Sequence, residues 1–380
     1  MPGSALALAQ NSQVGVRTAR IEAFDALRGI ALIAMALDHA AYFTQVGIVA
    51  EFHQGIDLYL ETWPHWLTGL LTNIAAPTFW FLAGFSLALF VQGSRLKGES
   101  EWAITRFLLI RAGIIALFDL TVGAIWGFSF NVLSSLAVSI AIMSMMRFLP
   151  SWLIACLGAT TMVGYEWLWM HLGDSSSTHV SLWSAIWITP NNGLPSPVPF
   201  PVLGWIGLMA LGYALTVTLR EKQLLQSPRP WLTIALALLI LWLVMRLANG
   251  YGNINQYNSN QPWHYFLIMS KDPISLAYLT FNLGWMCFIL VGLLRFPHLK
   301  QSQLFSLAVL FGQTPLLFFV SHILIYRILG KVAIRLGMLE GFGIVRAYLI
   351  WVAGLCILVP LCMIFRHAKR RYPTSVLRYV

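Results

Sequence analysis

Long apolar runs constrain this sequence more than any other feature. About ten of them reach about 18 residues or more, the length that an α-helix needs to cross the hydrocarbon core of a bilayer. We therefore predict an all-α fold, a polytopic membrane helix bundle with about ten transmembrane helices. The predicted spans are 24–46, 66–93, 104–123, 131–149, 151–170, 201–219, 231–248, 274–294, 303–329 and 343–366.

The predicted spans form one transmembrane domain, 24–366. It lies between a cytoplasmic N-terminal segment, 1–23, and a basic cytoplasmic tail, 367–380. Lys and Arg concentrate in the tail and in the loops predicted on the same side, so the positive-inside rule places both termini in the cytoplasm. Long loops on one face usually line a site. The loops predicted on the opposite, outer face are 47–65, 171–200 and 249–273.

Composition excludes a soluble globular protein. Hydrophobic residues make up 58% of the chain and charged residues only 10%, whereas soluble domains are about 25% charged. The formal net charge of +10 does not indicate nucleic-acid binding, because the basic residues are scattered between apolar runs; the expected partner is the lipid bilayer. The four cysteines lie inside apolar runs without a CxxC motif, which predicts neither disulfides nor a metal site.

The first span carries ionisable side chains that are costly inside a bilayer. Asp25, Arg28, Asp38 and His39 lie in the stretch RIEAFDALRGIALIAMALDHAAYF, and each such group costs roughly 2.5–3.5 kcal/mol on insertion scales, which makes it a functional candidate. His39 follows Arg28 by almost three helical turns, so both lie on one face, about 16 Å apart. This spacing fits a long donor with a phosphate head, and coenzyme A has that shape. We interpret Asp25 as the N-cap of the helix.

Polar side chains of other spans are predicted to lie at the depth of His39. Counting about 1.5 Å per residue from the end of each span places Asn73, Asp119, Gln313 and His322 in one layer near the outer face. Convergence of polar groups from several helices is the strongest indication of a site in this sequence.

Several of the polar residues also have a structural interpretation. A lone Asn or Gln in a membrane helix more often bridges helices than takes part in chemistry. Pro77 and Pro315 are interpreted as kink prolines whose freed carbonyls are satisfied by neighbours. In the first outer loop, His53, Asp57 and His65 could suggest a metal ion, but solvated loop residues are the preferred interpretation, and no metal is expected.

Five blocks of the sequence resemble a known family. They are DALRGIALIAMALDHAAYF, NIAAPTFWFLAGFSLAL, FPVLGWIGLMALGYAL, SKDPISLAYLTFNLG and FGQTPLLFFVSHILIY. In this order they are similar to the catalytic domain of the heparan-alpha-glucosaminide N-acetyltransferase family, in its compact bacterial form, over nearly the whole chain. The first block alone is less specific, because type-three acyltransferases of the wider superfamily share an Arg followed eleven residues later by a His.

The resemblance implies a multi-pass enzyme of the bacterial inner (plasma) membrane. Such an enzyme takes an acetyl or other acyl group from cytoplasmic acyl-CoA, with acetyl-CoA as the usual donor, and delivers it across the membrane to the amine or hydroxyl of a glycan or glycolipid. The chain has no counterpart of the large luminal domain of the animal enzyme, so heparan sulfate itself is not the expected acceptor. The residues of this chain that match family motifs are Arg28, His39, Asn73, Pro77, Lys271, Pro315 and His322.

The sequence assigns a role to each candidate, with one alternative for the histidine. His39 is the expected general base, because neutral imidazole accepts the proton that the acceptor loses. The resemblance implies an alternative, because the animal enzyme of the family has Asn at the matching position and its catalytic His in the following loop; the counterpart here would be His65 or a neighbouring residue. The other expected roles are these: Arg28 binds the donor phosphate, Asn73 and Gln313 donate to the oxyanion, His65 and Lys271 bind substrate, His322 or Asp119 orients substrate or proton, and Asp38 faces His322.

Other readings of the same residues stay open. An acetyl-histidine intermediate would replace direct transfer. A proton-coupled transporter or flippase of a glycolipid or sugar would use the buried charges for coupling, although no internal repeat of the transporter kind is visible. A catalytically inactive relative would act as a sensor or scaffold. The sequence leaves both a monomer and a homodimer open.

Overall fold

A computed structural model describes residues 21–53, 62–123, 130–173, 180–191, 197–338 and 340–380. This part of the chain is mostly helical. Its α-helices are α1 Glu22–Phe43, α2 Trp63–Thr72, α3 Ala75–Leu96, α4 Glu101–Gly123, α5 Val132–Met146, α6 Ser151–Leu172, α7 Leu182–Trp187, α8 Val202–Glu221, α9 Pro228–Ala248, α10 Leu276–Arg295, α11 Gln303–Gln313, α12 Pro315–Arg335 and α13 Ile344–Arg371. The 3-10 helices are Trp263–Leu267, Pro297–Gln301 and Val376–Tyr379.

Seven stretches of the described residues are long and apolar enough to cross a membrane. They are α1, the run Trp63–Leu96 that contains α2 and α3, and helices α8, α9, α10, α12 and α13. The predicted membrane helix bundle is confirmed, but the count of about ten spans is not. Helix α4 carries Arg106, Arg111 and Asp119, α5 is only 15 residues long, and α6 is less apolar.

The predicted span 303–329 is two helices, because proline interrupts it. Helix α11 ends at Gln313, Thr314 leaves the helical conformation with φ −128° and ψ 46°, and α12 begins at Pro315. A residue before proline is disfavoured in the α region, and proline has no N–H to continue the helical ladder. Because of this break, the depth of residues before Thr314 differs from the depth that counting along one straight helix predicts.

A second break separates α2 from α3, and Pro77 lies in the first turn after it. Pro77 has no N–H to donate to the Asn73 carbonyl four residues earlier. The Tyr278 hydroxyl of α10 donates to that carbonyl instead, at 2.9 Å. The prediction that a neighbour satisfies the carbonyl freed by Pro77 is confirmed.

Two short parallel strands depart from the predicted all-α fold. Strand β1, Glu51–His53, pairs with strand β2, Met269–Asp272, in the register Glu51 to Met269 and His53 to Asp272. β1 follows α1, and β2 precedes α10, so the pair joins two of the predicted outer loops. This pairing holds the charged side chains of both loops at one end of the bundle.

Helix α1 lies at the centre of the bundle, where it packs against α3, α11, α12 and α13. Its contact with α11 is backbone to backbone. A Cβ atom at Gly29 would overlap the carbonyl oxygen of Ala308, and one at Gly312 would overlap that of Asp25. Glycine is therefore required at both positions, since small residues let membrane helices approach this closely.

The predicted domain boundaries are only partly covered by the described residues. Residues 1–20 of the predicted N-terminal segment lie outside them. At the other end, α13 continues through Arg371, so the first residues of the predicted tail are helical.

Candidate active site

A cavity of about 2010 Å³ runs along α1, between α1, α3, α4, α5 and α12. Its lining extends from Ile21 to Tyr42 along α1, and from Ala75 at the start of α3 to Lys97 just after its end. The cavity therefore spans almost the full length of both helices. Ligand pockets usually measure about 300–1,000 Å³, so this one has room for two substrates end to end.

One end of the cavity, here called the basic end, is lined by cationic side chains. Arg28 is fixed there by three helices: its guanidinium donates to Asp25 Oδ1 of α1 (3.1 Å), to the Gly312 carbonyl of α11 (2.9 Å) and to Ser86 Oγ of α3 (2.5 Å). Asp25 is thus an ion-pair partner of Arg28 and not the N-cap expected from the sequence. The cations of the basic end are Arg28, Lys97, Arg111, Arg220 and Lys369.

Arg111 of α4 faces the same cavity as Arg28. Within the described residues, no hydrogen bond or ion pair engages the Arg111 guanidinium, and the charge that acts on it is that of Arg28. Two like charges directed into one cavity repel each other, and an anion bound between them compensates that repulsion. The basic end is therefore suited to a ligand with several negative charges.

Gln313 lies at the basic end and not beside His39, so the predicted depth of Gln313 is wrong. Its Nε2 donates to Asp25 Oδ2 at 3.4 Å, and Asp25 precedes His39 by about 21 Å along α1. The reason is the break at Thr314 and the close contact of α11 with the start of α1. From this position Gln313 cannot donate to an oxyanion at His39.

His39 and His322 form a hydrogen-bonded pair between α1 and α12. Their Nδ1 and Nε2 atoms, respectively, are 2.9 Å apart. His322 Nδ1 lies 3.0 Å from the Phe318 carbonyl, which can only accept, so this nitrogen must carry a proton. In the neutral pair His322 Nε2 is then an acceptor, and His39 Nδ1 donates to it.

The pairing leaves the lone pair of His39 on its Nε2. His322 is fully buried, whereas His39 is only partly buried and lines the cavity. An imidazole held in one tautomer with a free nitrogen is the arrangement required of a general base.

Asp38 and Asn73 line the cavity beyond His39, but their partners differ from those predicted. Asp38 Oδ1 accepts from Thr72 Oγ1 at 2.7 Å, so Asp38 does not face His322. The amide orientation of Asn73 that satisfies its surroundings has the nitrogen donating to Glu51 Oε2 at 2.7 Å and to the Gly69 carbonyl at 3.0 Å. Both amide hydrogens are used by the protein, so Asn73 has none left for an oxyanion.

The opposite end of the cavity, here called the strand end, is walled by β1 and β2. Glu51 Oε1 accepts from Lys271 Nζ at 2.7 Å and lies 3.1 Å from His53 Nε2, while His53 Nδ1 lies 2.8 Å from Asp272 Oδ2. All four side chains line the cavity. Lys271, a predicted substrate-binding residue, is thus part of a network of alternating charges.

The network shifts the pKa values of its members. Burial alone would raise the pKa of Glu51, but Lys271 and His53 outweigh it and lower the pKa to about 2. Burial alone would lower the pKa of His53, but hydrogen bonds to Asp272 and Glu51 raise it to about 9. Burial also opposes the charge of Lys271, yet Glu51 and Asp272 raise its pKa. At neutral pH Glu51, His53 and Lys271 are therefore charged.

Two other candidates have structural partners. Asp119 lines the cavity, but its Oδ2 accepts from the backbone N–H groups of Asn131 (2.9 Å) and Ser134 (3.0 Å) at the start of α5. His65 is buried in α2, where its Nδ1 lies 2.6 Å from Thr62 Oγ1, and it does not line the cavity. The histidine pair, and not His65, thus reaches the space where substrates would meet.

A family model described as heparan-alpha-glucosaminide N-acetyltransferase, catalytic, matches residues 20–239. The chain belongs to this family. No curated protein sequence matches the chain. The match covers α1 through the first half of α9, including Arg28, His39 and Arg111, while β2 and His322 lie beyond it. Membership in this family of acetyltransferases, together with seven apolar helices, makes the chain an integral membrane acetyltransferase.

The family match does not support the alternative of a proton-coupled transporter. The candidate metal ligands are not grouped either: Asp57 lies outside the described residues, and no set of three His, Cys, Asp or Glu side chains suited to a metal occurs within them.

Sequence reasoning missed part of this acetyltransferase site. The sequence patterns do not identify six residues of the cavity and predict a solvated loop position for His53. The six are Glu51, Lys97, Arg111, Arg220, Asp272 and Lys369. Membrane topology alone accounts for the arginines and lysines in the sequence analysis, although Arg111 is, like Arg28, an arginine well inside a predicted span. That position was the signal that could have found it.

Proposed function

We propose that this acetyltransferase moves an acetyl or other acyl group from acyl-CoA, bound at the basic end, to an amino sugar or sugar hydroxyl at the strand end. His39 acts as the general base at the junction. The observation that carries the proposal is one continuous cavity with the His39 and His322 pair between a cationic end and a hydrogen-bonding end. Two substrates of different chemistry could enter from opposite ends of this cavity and meet at His39.

The basic end supports an acyl-CoA donor by charge and by length. Arg28 and Arg111 would bind the donor phosphates, because guanidinium groups are suited to bidentate phosphate recognition. The rise from Arg28 to His39 is about 16 Å, which an extended pantetheine arm can span. Lys97, Arg220 and Lys369, further towards the end of the cavity, would attract the donor from solution.

The charge distribution also supports a membrane orientation. Lys97, Arg220 and Lys369 lie at the helix ends on the side of the basic end, which the positive-inside rule assigns to the cytoplasm. We propose that this side faces the cytoplasm of a bacterium, that both termini lie there, and that the strand end opens to the outer face of the plasma membrane.

The chemistry requires one proton to move to His39 and back. As the acceptor N–H or O–H group attacks the thioester carbonyl, His39 Nε2 takes its proton while His322 Nε2 continues to accept from His39 Nδ1. Collapse of the tetrahedral intermediate breaks the C–S bond, and the leaving thiolate takes the proton from His39. His39 ends in its starting state, with an acetylated acceptor and free CoA as products.

A rival mechanism uses the same nitrogen as a nucleophile. His39 Nε2 would then attack the thioester directly and carry the acetyl group before the acceptor takes it. Rapid mixing with radiolabelled acetyl-CoA in the absence of acceptor distinguishes the two mechanisms, because only the acetyl-histidine route gives a burst of protein-bound label.

The central test is His39→Ala, assayed with acetyl-CoA and a panel of amino sugars and neutral sugars. We expect acetyl transfer to fall about 10²–10⁴-fold, the usual contribution of a general base, while CoA binding measured by thermal shift is retained. Retained acetyl transfer would contradict the proposal.

Two histidine variants serve as controls. His65→Ala tests the alternative base in α2, and we expect its turnover per folded molecule to stay within a few fold of wild type. His298→Ala removes an exposed histidine and should change nothing. Loss of activity in His65→Ala, with unchanged stability, would transfer the catalytic role to His65.

A further inference from the structure

The wall of the strand end contains a carboxylate oxygen that the protein leaves without a donor. Asp272 is only 4% exposed and lines the cavity. Its Oδ2 is engaged by His53 Nδ1 at 2.8 Å. No donor in the described part of the chain reaches its Oδ1.

The other carboxylate oxygens of this wall have hydrogen-bond donors, which distinguishes Asp272 Oδ1 from them. Glu51 Oε1 receives Lys271 Nζ and lies beside His53 Nε2, and Glu51 Oε2 receives the Asn73 amide. Buried carboxylate oxygens normally have a hydrogen-bond donor, and an unmatched one commonly marks a place where a ligand or water binds. Within the described wall, Asp272 Oδ1 is the carboxylate oxygen that lacks a donor.

Charge favours a neutral hydroxyl over an ammonium group as that donor. The carboxylates of Glu51 and Asp272 are balanced by Lys271 and by protonated His53. The wall therefore offers a directed acceptor atom with no net negative charge. A sugar ring carries several hydroxyl donors next to the group that would be acetylated.

The wall lies close to the proposed chemistry. A short series of contacts joins the wall to His39: Glu51 Oε2 accepts from the Asn73 amide, and the preceding residue, Thr72, donates to Asp38, which is next to His39 in sequence. A ligand hydrogen-bonded to the wall would therefore occupy the same cavity as the His39 imidazole.

We propose that Asp272 Oδ1 accepts a hydrogen bond from a hydroxyl group of the acceptor that is not itself acetylated, and so positions a sugar or other polyol for attack. This assignment rests on the proposed acetyl transfer. Asp272 is a positioning residue that selects hydroxylated acceptors, and the charged partners around it hold its carboxylate in place.

The test uses Asp272→Asn in the full-length protein, with glucosamine and its monodeoxy analogues as acceptors. We expect wild type to favour glucosamine over at least one deoxy analogue by about tenfold to a hundredfold in kcat/KM, the size of one hydrogen bond to a charged group. Asp272→Asn should lose this preference, with a higher KM for glucosamine and an unchanged KM for acetyl-CoA.

Glu51→Gln is the matched control, because it disturbs the same network and leaves Asp272 Oδ1 in place. It should keep the preference for the hydroxylated acceptor even if its turnover falls. The assignment is overturned if wild type uses glucosamine and all its deoxy analogues equally, or if Asp272→Asn keeps the preference.

Failure of the proposed function gives a different result. If wild type transfers no acetyl group to any of these sugars, acetyl transfer to sugars is overturned, and sugar binding then decides the role of Asp272. Glucosamine should raise the unfolding temperature of wild type more than that of Asp272→Asn, and equal shifts overturn the assignment.

Discussion

The basic end and the strand end of the cavity treat charge in opposite ways. At the basic end, the charged side chains among the described lining residues are five cations and one carboxylate, that of Asp25. At the strand end, Glu51, His53, Lys271 and Asp272 alternate in sign and bond to one another. The basic end carries excess positive charge, whereas the charges of the strand end neutralise one another.

This difference separates the tasks of the two ends. An uncompensated cationic surface gains electrostatic energy chiefly when an anion binds, so the basic end is built for affinity. A compensated network gains little from another ion and instead fixes the shape of the wall and the direction of its free groups. The donor is thus expected to be held by charge and the acceptor by geometry.

The largest effect is expected at the junction of the two ends, from His322→Ala. This variant removes the acceptor for His39 Nδ1–H, so the His39 imidazole is no longer held in one tautomer. We expect kcat to fall by about 10³-fold, with little change in the KM for acetyl-CoA or for the acceptor. His322→Gln should recover part of the loss, because an amide oxygen can accept from His39 Nδ1. Steady-state kinetics normalised to folded protein checks this, and equal loss in both variants would contradict the tautomer argument.

The charge network of the strand end should make stability fall at alkaline pH. The pKa of His53 is raised from 6.5 to about 9, so its stabilising effect is complete below about 6.5 and is lost as the pH rises through 9. A shift of this size corresponds to at most about 3 kcal/mol. The unfolding temperature of wild type should therefore drop between pH 6.5 and 9.5, and that of His53→Gln should drop less. Parallel pH profiles would contradict the network, with the exposed His298→Gln as control.

At the basic end, Arg111→Gln should weaken donor binding without affecting the chemistry. We expect about a tenfold higher Kd for CoA, or about 1.4 kcal/mol, and a weaker dependence of that Kd on salt. Arg106→Gln, which removes an exposed arginine from the same helix, is the matched control. Equal Kd values for the two variants, measured by titration calorimetry, would show that excess charge at the basic end is not what holds the donor.

The smallest effect is expected from Asp119→Ala, which removes the acceptor for two backbone N–H groups at the start of α5. Loss of such a cap costs about 1 kcal/mol, so the unfolding temperature should fall while kcat stays within about twofold of wild type. A large decrease in kcat at unchanged stability would return Asp119 to the catalytic group and weaken the division between the two ends.

The sequence predicts the membrane bundle and the central helix well, because both depend on local periodicity. Length and hydropathy define the spans, and the helical repeat alone aligns Arg28 with His39, both of which line the cavity. Counting along a span also brings His322 to the level of His39, since no break separates His322 from the outer part of α12.

The same counting fails wherever the chain is not one straight helix. Gln313 lies before the break at Thr314, and its depth depends on the contact of α11 with α1, which no local pattern reveals. The strand pair is missed for a similar reason: β1 and β2 are three and four residues long, too short for an alternating pattern, and their partners are far apart in sequence.

The glycine contact between α1 and α11 has a consequence for the reach of the enzyme. With the two backbones touching at Gly29 and Gly312, and Arg28 tied to the Gly312 carbonyl, the cationic anchor cannot slide along the axis of α1. Helix α1 then holds the Arg28 guanidinium and the His39 imidazole at a fixed separation. If the pantetheine arm of a donor were a few ångströms too short or too long, its thioester would not lie at His39, even with its phosphates tightly bound.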